Sequence, residues 1–385
     1  MSTAIQRTGG IPVTRPVLGP EEAAAVVDVL DSGWLSQGSR VVRFEQSFAA
    51  RVHAASAVAT SSCTTALHLL LLGHGVQPGD EVVVPSFSFI ATANVVRYLG
   101  ATPVFADVDE RDGNVTAETV AAALTARSRA VLAVHQGGMP ADIAALRQVC
   151  SPYGVPVLED AACAAGSTLY GQPVGSDSAG AAWSFHPRKV ITTGEGGMIT
   201  LDDALLADRL RALRQHGMSA SAFDRHGSKR FVLESYDEVG FNYRMTDIQA
   251  AIGLVQLTRL PALVARRREI VGRYLELLAG HPQFRPCREP TYGRSNFQTF
   301  WVELTDEAGA SRDEVLNALA AADIGARRGI MAIHLEPAYA DVPLRVPLPV
   351  TERLTRRSIT LPVVDDMTVG EQERVVDVLA AASRR

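Results

Sequence analysis

Cysteine is scarce: Cys63, Cys150, Cys163 and Cys287 are the only four in 385 residues, too scattered for a disulfide framework, a CxxC pair or a zinc site. A reducing compartment fits, and the sequon at residues 114–116 is then a chance match. Long apolar runs are missing as well. None approaches the roughly 20 residues that cross a bilayer, and the chain does not open with a basic segment, an apolar stretch and a small-residue cleavage site. These absences point to the cytoplasm and away from a membrane. Excess positive charge is also lacking, since 37 basic and 42 acidic residues leave a net charge of −5 with no patch to track a phosphate backbone. The densest basic cluster, residues 266–268, interrupts the helical spacing of Leu260, Leu263, Ile270 and Tyr274 and reads as a solvated helix face. Nucleic acid is excluded on this ground. Low-complexity blocks, Ser/Gly linkers and internal repeats are absent too, and a chain of this length with 47% hydrophobic and 21% charged residues suggests two folded domains.

What is present is alternation. Between about residues 56 and 200, strand-like runs ("SAVATSS", "DEVVVPSFSF", "ATPVFADV", "RAVLAVHQ", "VPVLEDAA", "AAWSF", "GGMIT") alternate with helix-like ones such as "TTALHLLLLGHG". This predicts an α/β fold with a mostly parallel central sheet flanked by helices. In such sheets the ligand crevice lies beyond the carboxyl ends of the strands, here near Ser62, Pro85, Asp107, His135 and Asp160. A long amphipathic helix from Thr258, then "QTFWVELTD", "SRDEVLNALAAADI" and a last helix, predict a smaller C-terminal α+β domain, with residues 1–257 forming the large domain and 258–385 the small one.

Four features on this frame carry chemistry. "GVPVLEDAA" runs an apolar strand into Glu159 and Asp160, so a carboxylate stands where sheet meets crevice; taken alone, helix capping or a structural ion pair is the better explanation of it. Lys189 lies in a loop that Gly194, Gly196 and Gly197 make permissive enough to approach a ligand closely. Ser61, Ser62, Thr64 and Thr65 occupy a strand-to-helix turn, either an ordinary cap or a cradle for an anion such as phosphate. Phe87 and Phe89 follow another strand; Phe87 suits the core, and Phe89 could lie flat on a planar ring. Lysine, carboxylate, phosphate cradle and flat aromatic are together what pyridoxal 5'-phosphate requires: a covalent link, a partner for the pyridine nitrogen, an anion site and a stacking surface.

With these blocks in this order, the sequence resembles the DegT/DnrJ/EryC1/StrS sugar aminotransferases, fold type I enzymes that use pyridoxal phosphate. The likeness covers nearly the whole chain through "GDEVVVPSFSFIATANVV", "VLEDAACAAGSTLYGQPVGS", "WSFHPRKVITTGEGGM", "LRQHGM" and "GFNYRMTDIQAAIG". The resemblance implies that Lys189 is catalytic and carries the cofactor, Asp160 meets its ring nitrogen, Phe89 stacks on the ring, and Thr64, Thr65 and Ser184 hold the phosphate. Asn242 would come from the other subunit of a homodimer. Two positions depart from the family. Cys163 stands where Gln or His usually bonds the phenolic oxygen; a thiol is a weak donor, so the cofactor's spectrum shifts or another group takes over, unless Cys163 is merely a small buried residue. Cys63 stands where Gly is usual, which would tighten the phosphate turn.

The resemblance implies transfer of an amino group from L-glutamate or L-glutamine to the ketone of a nucleotide-activated deoxysugar, on a secondary-metabolite or surface-glycan route. A keto-cyclitol such as scyllo-inosose is the neighbouring alternative. A sugar dehydratase, which would carry His in place of Lys189, and a non-catalytic cofactor-binding regulator are the others. His334 in "RRGIMAIHLEPAY" is the candidate for the acceptor site, with Arg244 and Arg230 as cations for its nucleotide; each has a structural alternative. No metal is expected. Burial and a cationic ring nearby should let Lys189 spend time as the neutral amine that moves a proton.

Overall fold

The valine- and alanine-rich runs form one seven-stranded sheet in the computed structural model, which describes residues 10–219 and 233–384. In chain order come β1 (Ser56–Thr60), β2 (Glu81–Pro85), β3 (Thr102–Ala106), β4 (Ser128–Val134) and β5 (Val157–Asp160). After two short strands, β6 (Thr168–Leu169) and β7 (Gln172–Pro173), follow β8 (Ala181–Ser184) and β9 (Gly197–Leu201). Their spatial order is β1-β9-β8-β5-β4-β2-β3, and only β9 runs against its neighbours. Helices cover both faces, so a strand such as β2 is buried along its whole length and reads as a continuous apolar run rather than an alternating one.

This topology brings the ends of β1, β2, β5 and β8 to one edge. At β1 the chain turns directly into the helix Cys63–Gly73, whose N-cap Ser62 accepts from the Thr65 N–H while the Thr65 hydroxyl accepts from the Ser62 N–H. Two other strand ends are occupied structurally. Asp107 accepts from the N–H groups of Val350 and Thr351 and so caps the helix Pro349–Arg357. His135 Nδ1 accepts from Ala141 N–H at 3.0 Å, which leaves Nε2–H to donate to buried Glu159 at 3.0 Å. Glu159 and Asp160, adjacent on a strand, thus serve opposite faces of the sheet.

A second, antiparallel sheet is built from β10 (Phe284–Pro286), β12 (Phe300–Leu304), β13 (Arg327–Arg328) and β14 (Ser358–Leu361) in the order β10-β12-β14-β13, while β11 (Gly293–Arg294) pairs with β6. The helices Arg312–Ala321 and Val369–Ala382 pack on it through Val315, Leu319, Val375 and Leu379.

The expected domain cut at 257/258 does not correspond to a break in the chain. It falls inside one helix, Asp247–Leu278, which starts well before Thr258 and runs through Pro261. Its first half packs on the helices Pro20–Ser32 and Ser39–Val52, and its last turns enter the second core. Residues near the N-terminus also cross over: Ile11 exchanges hydrogen bonds with Asp323 and Gly325 and sits in the second core, and Val363 N–H donates to the Val13 carbonyl. Conversely Ile333, Tyr339, Val342 and Leu348 pack into the core of the large sheet. Such pairings are non-local and leave no mark on local pattern. By length and apolarity the long helix would suffice to span a bilayer, but it carries Arg259 and buries Leu260, Leu263, Ile270 and Tyr274 in the protein.

Candidate active site

Four segments from the C-terminal edge of the sheet surround Lys189. The loop that carries it leaves β8 at Ser184 and returns as β9 at Gly197, tied to itself by Lys189 N–H to the His186 carbonyl (2.9 Å), Thr193 N–H to the Phe185 carbonyl (3.0 Å) and the Thr192 hydroxyl to the same carbonyl (2.8 Å). Its glycines serve the protein rather than a ligand. Gly194 adopts φ +84°, and a Cβ on Gly197 would lie 2.3 Å from the Ser62 carbonyl oxygen, so a side chain there would push the helix turn away. A Cβ on Gly196 would meet Thr193 and Met245.

Lys189 Nζ lies 3.1 Å from Cys163 Sγ, the atom at the position where the family pattern has Gln or His. Burial lowers the lysine's affinity for its proton, but the charge and hydrogen bond of Cys163, and then the Asp160 carboxylate, outweigh it and hold the ammonium above its ordinary value. The protein's own groups thus favour the charged amine, and the share of neutral amine that proton transfer needs would come from the cationic ring expected beside it. Asp160, 5% exposed, is held above its ordinary value by burial, opposed by Thr92 Oγ1 donating to Oδ2 at 2.9 Å and Ala162 N–H donating to Oδ1 at 3.2 Å. Thr92 is in turn 2.9 Å from Ser88 Oγ. Sequence reading missed Thr92 and Ser88. Their only signal was their place after β2, in the same run as Phe89.

The two phenylalanines separate as expected from their positions: Phe87 is fully buried, whereas Phe89 is 70% exposed. Phe89 and Cys163 line a common cavity of about 380 Å³ between the two sheets. On the other side, Ser62 and Thr65 spend their side chains on the cap, while half-buried Thr64 in the first helical turn keeps its hydroxyl and N–H free of partners among the described residues. Ser184 ends β8, and its hydroxyl accepts from His186 N–H at 3.4 Å. Cys63 packs into the apolar core, and burial pushes its thiol well above the usual range.

The remaining expectations fare differently. The Tyr243 carbonyl accepts from Ser61 N–H at 2.8 Å, so the Asn242–Arg244 segment runs beside the phosphate turn of its own chain; the Asn242 side chain is exposed and Arg244 half-buried. His334 does not face the cavity. Its Nδ1 is 2.7 Å from Ser86 Oγ at the end of β2, its ring packs against Phe105 of β3, and its side chain is 4% exposed, so it braces its own segment against the large sheet. Arg230 lies outside the described residues.

A lysine, a buried carboxylate with two donors, an exposed aromatic ring and an open helix terminus fit pyridoxal phosphate, and the sequence profile of the DegT/DnrJ/EryC1/StrS aminotransferase family matches residues 16–380. The chain belongs to that family. Among solved structures, the aminotransferase TlmJ from Streptoalloteichus hindustanus is 36% identical with a TM-score of 0.88, the match covering 97% of this chain and 98% of that one. DesI, solved with its TDP-sugar product, is 35% identical at TM-score 0.88 over 98% of this chain and 94% of its own. The putative sugar aminotransferase Spr1654 from Streptococcus pneumoniae, in its PLP form, is 28% identical at TM-score 0.88 over 97% and 98%. The family member described here is thus a fold type I, PLP-dependent sugar aminotransferase.

Proposed function

We propose that this aminotransferase moves an amino group from L-glutamate or L-glutamine to the keto group of a nucleotide-activated deoxysugar, as a cytoplasmic homodimer. The observation that carries the reading is that Cys163, 3.1 Å from Lys189 Nζ, shares one cleft with the exposed Phe89 ring, while the buried Asp160 carboxylate is near enough for its charge to act on Lys189. DesI's TDP-sugar product favours a sugar nucleotide over a cyclitol as acceptor. Lys189 itself argues against the dehydratase alternative, which needs histidine there.

Pyridoxal phosphate supplies, when bound, an aldehyde that links covalently to amines and a ring that accepts the electron pair left by a departing proton. In this reading Lys189 would hold the cofactor at rest and, when its amine is free, would carry the proton to and from the substrate carbon through Nζ. Asp160 stays ionised against the ring nitrogen. Thr64, Ser184 and the first turn of the helix Cys63–Gly73 would hold the phosphate, with Thr65, expected to join them, instead fixing that turn through its cap to Ser62, and Phe89 would cover one face of the ring. Asn242, exposed in its own chain, reaches across the dimer.

The test is a half-reaction followed by absorbance. Glutamate or glutamine should bleach the visible band of the loaded enzyme, and addition of 3-keto and 4-keto nucleotide sugars should restore it; restoration by scyllo-inosose alone moves the protein to cyclitol amination. Failure of every amino donor to bleach the band sinks the proposal. Lys189→Ala should fold and turn over negligibly, and retained turnover would remove Lys189 from its role.

A further inference from the structure

The cavity that starts at Phe89 and Cys163 has charged walls of a single sign: Arg188, Arg267, Arg327 and Arg328 line it, and no aspartate or glutamate does. Two of these arginines are already engaged. Arg267 donates to the carbonyls of Phe297 (2.9 Å), Gln298 (2.9 Å) and Val363 (3.1 Å), and Arg328 reaches Glu336 at 3.5 Å. Arg188 and Arg327 make no ion pair with any carboxylate among the described residues. Burial, and then the charge of Arg188, pull Arg327 below its ordinary value, so the two cations feel one another without a counter-ion between them. Both side chains are exposed, so solvent screens part of their repulsion, and an anion that enters between them relieves the rest.

Both arginines are fixed at the backbone. Arg188 directly precedes Lys189, and Gln298 Nε2 donates to its carbonyl at 2.6 Å. Arg327 sits on β13, in register with Thr360 of β14, and Thr360 and Thr299 add hydroxyls to the same wall. The cavity also reaches the reacting lysine, because Cys163 both lines it and lies 3.1 Å from Lys189 Nζ.

We infer that Arg188 and Arg327 form an oxyanion clamp in the substrate cavity, holding an anionic group of the substrate whose reacting carbon lies at Lys189. The inference rests on the transaminase reading above. Two substrate groups share the required chemistry, a carboxylate of the amino donor and the diphosphate of the acceptor, and a guanidinium fork binds either in bidentate fashion. Because donor and acceptor use the site one after the other, the same pair is available to both.

The experiment uses the loaded enzyme with Arg188→Gln, Arg327→Gln and the double substitution. One arm measures the glutamate concentration that half-saturates bleaching, and the other measures binding of UDP and dTDP by calorimetry. Each single substitution should weaken at least one ligand about tenfold or more, and Arg→Lys at either site should recover part of the loss. Weakening of glutamate alone assigns the clamp to the donor carboxylate, weakening of the nucleotides alone assigns it to the diphosphate, and weakening of both assigns it to both. A double variant that keeps the visible band and thermal midpoint of the parent, with all constants within about twofold, overturns the clamp. A parent enzyme that no donor bleaches defeats the transaminase reading while the nucleotide arm still tests the arginines. If the parent binds neither glutamate nor either nucleotide, the clamp falls as well.

Discussion

Thr92→Val removes one hydroxyl from a site that is 1% exposed and keeps the shape of the side chain. That hydroxyl donates to Asp160 Oδ2 at 2.9 Å, and the other carboxylate oxygen has the Ala162 N–H at 3.2 Å, so the variant deletes the shorter of two hydrogen bonds. A hydrogen bond to a charged group contributes about 1.5–3 kcal/mol. In the cofactor-free protein much of this loss can be offset, because Asp160 is already held above its ordinary value by burial and can take up a proton. That escape is closed when an ionised Asp160 must face a protonated ring nitrogen. Taking about 2 kcal/mol, the dissociation constant for pyridoxal phosphate should rise roughly thirtyfold, while the thermal midpoint of the cofactor-free protein moves little. Titrating the cofactor-free variant and parent with pyridoxal phosphate by absorbance reads the first quantity, and calorimetry of the same samples reads the second. Affinity within about threefold of the parent, or a loss of folding stability larger than the loss of binding energy, would refute the pairing of Thr92, Asp160 and the ring nitrogen.

Cys163→Ala takes away the leading group that holds Lys189 above its ordinary value, so more of the amine is neutral near neutral pH. Cofactor loading should then be faster, and a rate no faster than the parent's contradicts the coupling. Glu45→Ala strands Arg214, whose side chain is 4% exposed and also donates to the Ala59 carbonyl. Chemical unfolding should show a loss of about 3–5 kcal/mol, and a loss below about 1 kcal/mol would mean the pair is not buried. Asp112 titrates upward from 3.8 to about 7 because burial disfavours its charge. The folded state therefore binds more protons than the unfolded one inside that window, so this residue makes stability fall as pH rises through it and level off above. Asp112→Asn, which keeps the oxygen that accepts from Asn114 N–H at 2.9 Å, should flatten that decline in a series of melting curves.

Much of the active site was legible because its residues lie in short blocks whose local pattern is tied to their role. Asp160 ends an apolar strand, Ser62 and Thr65 form a capping box at a strand-to-helix turn, and Lys189 sits in a loop whose glycines are needed by the surrounding backbone. Phe87 and Phe89, two residues apart on one segment, differ as the end of a strand dictates, one in the core and the other in the cleft. His334 shows the converse: a lone histidine near a presumed site looked open to substrate, and only its bond to Ser86, far away in the chain, shows it to be a strut.

The sequence by itself determined the α/β alternation, the strand and helix identities along the large sheet, and the types of residue that stand at the strand ends, since each follows from periodicity and capping within a dozen or so residues. Tertiary structure alone decided which of those residues meet. It set Thr92 against Asp160, Cys163 against Lys189 and Arg327 in one cavity with Arg188, gave Ile11 to the core of the second sheet and residues 333–348 to that of the large one, and ran a single helix through the expected boundary. The order β1-β9-β8-β5-β4-β2-β3 is not the order of the chain. Neighbours in space are therefore set by packing of whole layers, which no short window of sequence records.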